Sequence, residues 1–142
     1  MGEQNCRKRG RRVGHPLTLV PPMARVLVVE DEPNIASIIL FKLNREGHEV
    51  RWEPGAATVL RAADEMRPDL TLLDSSLPDG DPFALLAALA TRTAVVMMTE
   101  FRDAATPERA RAAGAIATVE KPFKPTQLAR LVAQLAPAGT IR

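Results

Sequence analysis

At 142 residues the chain has the length of one domain with a core of its own. A hydrophobic content of 46% and a charged content of 25% are those of a globular protein, and no apolar run reaches the roughly 20 residues that a membrane helix needs, so a membrane-spanning class is excluded. The single Cys6 excludes an intramolecular disulfide, and a reducing, cytoplasmic location is expected.

The net charge of +2 is unevenly placed: residues 1–23 carry Arg7, Lys8, Arg9, Arg11 and Arg12 against Glu3, a net +4, and the remainder carries −2. The basic character therefore belongs to residues 1–23, read as a disordered tail. Without interleaved aromatics it does not make a nucleic-acid-binding class. The Arg11-Arg12 pair is not followed by a secretion signal, because His15, Pro16, Pro21 and Pro22 interrupt the apolar stretch after it. Met23 stands just before the first strand, which makes it an alternative start.

From residue 24 to 136 the pattern is that of one domain. RVLVVE (25–30) reads as the first strand. Pro33 suits the first turn of a helix whose apolar face is Ile35, Ile38, Ile39 and Leu43, and Gly47 stops it. His48 to Trp52 is a shorter, more polar strand of the kind found at a sheet edge. After Pro54-Gly55, Val59, Leu60, Ala63 and Met66 give a second helical face that ends before Pro68. Leu70 to Asp74 is an apolar run that stops at an aspartate and a turn cluster, as a strand buried on both faces does. Phe83, Leu85, Leu86 and Leu89 make a third helix, and Ala94 to Met98 a fourth strand that ends at Thr99. Asp103 to Ala113 holds good helix formers but few large apolar residues, so a weakly anchored fourth helix is predicted. Gly114 ends it, Ala115 to Val119 is a short fifth strand, and Pro125, Leu128, Leu131, Val132 and Leu135 form the last helix, closed by Pro137 and Gly139. Residues 137–142 are a short tail.

Five strands alternating with five helices imply an α/β fold with a doubly wound parallel sheet. The carboxyl ends of parallel strands share one edge, the usual place for a ligand. That edge would gather Glu30, Asp31, Asp74, Thr99 and Lys121. Two carboxylates about 4–5 Å apart repel by roughly 3–4 kcal/mol at an effective dielectric near 20, so the cluster asks for a cation. An all-oxygen donor set points to a hard ion, Mg2+. Read singly, Asp74 is a turn cap, Glu30 and Asp31 a helix-capping pair, Lys121 a surface lysine and Thr99 a strand-end residue.

The segments VLVVEDEP, LTLLDSSLP, VVMMTE and GAIATVEKPF, in this order and at this spacing over residues 24–136, resemble the receiver domain of bacterial two-component response regulators. The resemblance implies a flavodoxin-like sheet in the order 2-1-3-4-5, with helices on both faces. It implies that Asp74 is the phosphoacceptor, supplied by a sensor histidine kinase or a histidine phosphotransfer protein. It further implies that Glu30, Asp31, Asp74 and the main-chain carbonyl of Ser76 hold Mg2+, that Lys121, followed by a cis Pro122, pairs with the phosphoryl group, and that Thr99 turns toward it as the switch. A stand-alone phosphorylation-dependent signalling protein follows, acting through altered protein binding on an output partner the sequence does not name. It is not an enzyme beyond gaining and losing its own phosphoryl group.

Four positions depart from the family pattern. Pro82 stands where glycine is usual, which alters the loop under the site. Glu100 replaces a small residue, and its charge either repels phosphoryl donors or orients a water. Phe101 occupies a position where polar residues often assist dephosphorylation, so slow loss of phosphate is expected. Thr118 replaces the usual switch aromatic, which weakens or rebuilds the coupling to the face of helix four, strand five and helix five. These departures carry the alternative of a pseudo-receiver whose binding face works constitutively. A phosphatase with an aspartyl nucleophile is a third reading, disfavoured because Ser76 stands where such enzymes usually have a second acid.

Overall fold

A computed structural model of the chain describes residues 23–136. These form β1 (Arg25–Val29), α1 (Pro33–Arg45), β2 (Glu49–Glu53), α2 (Val59–Met66), β3 (Leu70–Asp74), α3 (Pro82–Leu89), β4 (Ala94–Thr99), α4 (Thr106–Ala112), β5 (Ala117–Glu120) and α5 (Pro125–Leu135). The five strands make one parallel sheet in the order β2-β1-β3-β4-β5, the predicted doubly wound topology. The predicted 137–142 tail, with Pro137 and Gly139, and all of the predicted 1–23 tail except Met23 lie outside the described residues.

Period-two alternation within the strands explains why both sheet faces are apolar. Leu27, Val29, Leu73, Val95 and Met97 point to a core closed by α2 and α3, through Val59, Met66, Leu86 and Leu89. Val26, Val28, Leu72, Val96 and Met98 point the other way, to a core closed by α1 and α5 through Ile39, Leu43, Leu128 and Val132. Edge strand β2 is only partly covered, as its polar composition predicts.

Helix ends follow local chemistry. Glu32 caps α1 by accepting the Asn34 N–H at 3.1 Å, and Asp81 caps α3 by accepting the Phe83 N–H at 3.0 Å, with Pro33 and Pro82 next in line. Gly47 closes α1 in the left-handed region at φ +95°.

Five expectations need correction. β2 runs Glu49–Glu53 rather than from His48 to Trp52, because its ladder with β1 opens at the Arg25–Glu49 pair. β1 ends at Val29, although the Glu30 N–H still bonds the Glu53 carbonyl at 3.2 Å. Ile38 is 51% exposed, because the buried stripe of α1 runs through Ala36, Ile39 and Leu43 at spacings of three and four, which turns Ile38 outward. α4 starts at Thr106, since Asp103 spends its side chain on the Ala105 and Thr106 N–H groups ahead of the first turn. β5 starts at Ala117, because Ile116 makes a single main-chain bond to Val95 before the ladder begins. The predicted weak anchoring of α4 agrees with its burying Ala110 alone.

His48 is buried just before β2, and its Nδ1 has no hydrogen-bond partner. Burial disfavours the imidazolium and moves its pKa below the ordinary 6.5, against the smaller pull of Glu46. Between the folded and unfolded pKa values the unfolded chain binds more protons, so this contribution is present above about pH 6.5 and is lost on acidification below it. His48→Gln is expected to flatten the dependence of stability on pH below 6.5, by at most about 1.4 kcal/mol per pH unit. Urea denaturation of both proteins between pH 5 and pH 8 checks this; parallel profiles would exclude His48 as the cause.

Candidate functional site

The carboxyl edge of the sheet carries an acidic cleft. β3 is buried along its whole length, and its last residue, Asp74, has no exposed surface. Neighbouring β1 delivers Glu30, also fully buried, and Asp31 follows it into solvent. One carboxylate oxygen from each of Glu30, Asp31 and Asp74 lies within 4.8 Å of the others.

Each residue is held by a specific contact. Glu30 is fixed at its carbonyl by Trp52 Nε1–H at 2.7 Å and at Oε2 by the Glu32 N–H at 3.1 Å. The capping alternative thus applies to Glu32, with Glu30 bracing the cap and Asp31 lying beside Asp74. Asp74 Oδ1 accepts from the Ser76 N–H and lies 3.0 Å from Ser76 Oγ; Oδ2 is buried without a hydrogen-bond donor. The Lys121 N–H bonds the Thr99 carbonyl at 2.8 Å, which brings its side chain over the cleft from the end of β5. Lys121 Nζ then lies 2.9 Å from Glu30, 3.2 Å from Asp74 and 3.9 Å from Glu100. The Lys121-Pro122 peptide bond is cis.

The charges answer these neighbours. Burial pushes Glu30 above the ordinary carboxylate range, and the Lys121 hydrogen bond only partly opposes it. Asp31 is also raised, by desolvation and then by the Asp74 carboxylate beside it. Burial would raise Asp74 too, but the Ser76 N–H and the Lys121 charge outweigh it and hold Asp74 below its usual value. Burial would lower Lys121, but Glu30 and Asp74 together keep its ammonium above the ordinary lysine range. Asp74 is thus the carboxylate of the three held most firmly ionised.

Three acidic groups facing one ammonium leave an excess of two negative charges when all are ionised, in a donor set of oxygens alone. A donorless, buried Asp74 Oδ2 among them is what a hard divalent cation would satisfy, so the residues present fit Mg2+.

The remaining predicted residues lie around this cleft. The Thr99 hydroxyl is buried and donates to the Val119 carbonyl at 3.4 Å, toward β5 and away from the carboxylates. Thr118 is half-buried on β5, paired in register with Met97. Phe101 is 62% exposed, with the Arg102 guanidinium 5.2 Å from its ring. Pro82 sits in the first turn of α3, where its fixed φ and missing N–H suit a helix start. Sequence reasoning reached Ser76 only through its carbonyl; its N–H and hydroxyl both meet Asp74, an Asx-type arrangement that the Asp-x-Ser spacing could have signalled. Ser76 Oγ is also 2.9 Å from Glu100 Oε2, which joins the loops after β3 and β4.

Residues 26–133 match the family described as the response regulator receiver domain. The DNA-binding response regulator MtrA of Mycolicibacterium smegmatis is 36% identical over 114 residues, covering 78% of this chain and 50% of that protein. Among solved structures, NtrX of Brucella abortus superposes with a TM-score of 0.73 at 36% identity, over 80% of this chain and 26% of that one. The receiver domain of RstA from Klebsiella pneumoniae superposes with a TM-score of 0.72 at 27% identity, over 80% of this chain and 99% of that one. The chain spans about half the length of MtrA. No helix among the described residues is long and apolar enough to cross a membrane.

Proposed function

The chain belongs to the response regulator receiver family, and on that footing we propose that it accepts a phosphoryl group on Asp74 from a histidine kinase or phosphotransfer protein and signals through altered protein binding. The observation that carries this reading is the ion pairing of one lysine, Lys121, with both Glu30 and Asp74 at the end of the central strands. Such an arrangement keeps a nucleophilic carboxylate ionised and places a cation where charge would develop.

An Asp74 oxygen attacks phosphorus and forms the new P–O bond. The P–N bond to the donor histidine breaks, and its electron pair leaves with the imidazole. Lys121 Nζ, already 3.2 Å from Asp74, compensates the charge on the transferred group. Ser76 orients the acceptor through its N–H. Glu30, Asp31, Asp74 and the Ser76 carbonyl would hold Mg2+, which when bound would supply positive charge to offset that of the transferred group. Thr99 then exchanges its 3.4 Å bond to the Val119 carbonyl for one to the phosphoryl group, drawing on the loop ahead of the weakly anchored α4. Output partners are proteins that read this change, and nothing at the cleft suits nucleic acid.

Incubation with Mg2+ and acetyl phosphate, followed by intact-mass measurement, is expected to show one added phosphoryl group. Asp31→Asn is expected to need at least about tenfold more Mg2+ for the same labelling, the scale on which metal sites respond to loss of a ligand or its support. Absence of labelling on the wild-type chain would overturn the proposal and favour the pseudo-receiver reading.

A further inference from the structure

We infer that Glu100 is a resident anion that occupies the phosphoryl group's partners until a donor displaces it, so that this chain's site competes with its own substrate. The inference rests on the phosphoacceptor reading of Asp74. It starts from the two groups that touch Asp74 Oδ1 through side chains, Ser76 Oγ at 3.0 Å and Lys121 Nζ at 3.2 Å. Both also lie near Glu100 Oε2, at 2.9 Å and 3.9 Å. A carboxylate oxygen thus stands beside the same hydroxyl and the same ammonium that an oxygen on phosphorylated Asp74 would meet.

Accessibility and charge agree with this placement. Asp74 is fully covered, whereas the Glu100 side chain is 50% exposed and borders solvent. With Glu100 counted, four carboxylates face the single ammonium of Lys121, and an incoming phosphoryl group adds further negative charge against them. Displacing Glu100 breaks its bond to Ser76 and separates the loop after β4 from the loop after β3. That loop is otherwise tied down by the Arg102 N–H, which bonds Glu120 Oε2 at 3.0 Å. Of the two roles the sequence left open for Glu100, the geometry points to repulsion of donors, because its oxygen is engaged by the site's own cation and hydroxyl.

Glu100→Gln removes the charge and keeps an oxygen that Ser76 can bond. With Mg2+ and acetyl phosphate at low salt, E100Q is expected to take up the phosphoryl group about tenfold faster than wild type or more, equivalent to about 1.4 kcal/mol. The advantage should shrink as ionic strength rises from about 0.01 M to 0.1 M, over which the screening length falls from about 30 Å to about 10 Å. Glu100→Ala, which removes the hydrogen bond as well, should be at least as fast. Equal uptake rates in wild type and E100Q overturn the inference and leave Asp74 as acceptor. Unchanged uptake with slower loss of phosphate in E100Q also overturns it, assigning Glu100 to water orientation. No labelling of Asp74 in any of the three chains removes the phosphoacceptor reading, and this inference with it.

Discussion

Asp74→Asn is expected to abolish the gain of a phosphoryl group from acetyl phosphate while leaving the fold intact. The amide lacks the negative charge that makes Asp74 a nucleophile, and loss of a covalent nucleophile costs on the order of 10³-fold in rate or more. The substitution keeps the side chain's size and an oxygen for the Ser76 N–H. It gives up the Asp74 contact to Lys121, but Lys121 keeps Glu30 at 2.9 Å. It also removes one of three carboxylates crowded within 4.8 Å, whose mutual repulsion offsets part of the favourable pairing of Asp74 with Lys121 and the Ser76 N–H. Thermal unfolding of the variant should therefore fall modestly below wild type at neutral pH in the absence of divalent ions, because the fold holds Asp74 below its usual pKa and so favours its ionised form. Intact mass and a melting curve on the same sample test both halves. Labelling of Asp74→Asn at the wild-type rate would move the acceptor role to another carboxylate, whereas a collapsed melting curve would make the loss of labelling uninformative and require Asp74→Ser in its place.

The fold was legible because its signals are local and redundant. The apolar runs of β3 and β4 match strands buried on both faces, and Pro33 and Gly47 mark helix ends by fixed backbone chemistry, whereas Pro82, read as altering a loop, proved to start α3. Parallel pairing then aligns strand ends, so that Glu30, Asp31, Asp74 and Lys121 could be gathered from the chain without coordinates. Two kinds of information were hidden. One is rotational: Ile38 looks apolar and helical, and only the direction in which α1 packs shows that it faces solvent. The other is contact across loops. That Glu100 shares Ser76 and Lys121 with Asp74 depends on how the turns after β3 and β4 approach each other, which no spacing within either segment encodes. Asp103 illustrates the same limit on a smaller scale, since its capping of the Thr106 turn shortened a helix whose residue propensities run on.

Lys121→Met is expected to have the largest effect on stability, because it removes the one ammonium shared by Glu30 and Asp74 while both carboxylates stay buried, each with a side chain 1% exposed. Breaking a buried ion pair from one side costs about 3–5 kcal/mol, and the 13% exposure of Lys121 favours the lower end, about 3 kcal/mol. The sign with pH follows from the shifts. Lys121 is held above the ordinary lysine range, so its contribution is present at neutral pH and is lost only as pH rises through the folded-state value. On the acidic side the gap between variant and wild type should narrow, since Glu30, already raised by burial, can take a proton and remove one of the uncompensated charges. Mg2+ should narrow it at neutral pH for the same reason, a divalent cation taking over part of the ammonium's electrostatic role. Urea denaturation of both proteins at pH 7 in EDTA, at pH 7 in Mg2+ and at pH 5 in EDTA separates these effects. Equal stability of Lys121→Met and wild type at pH 7 in EDTA would mean that the carboxylates are already compensated from elsewhere, and the electrostatic account of the cleft would fail.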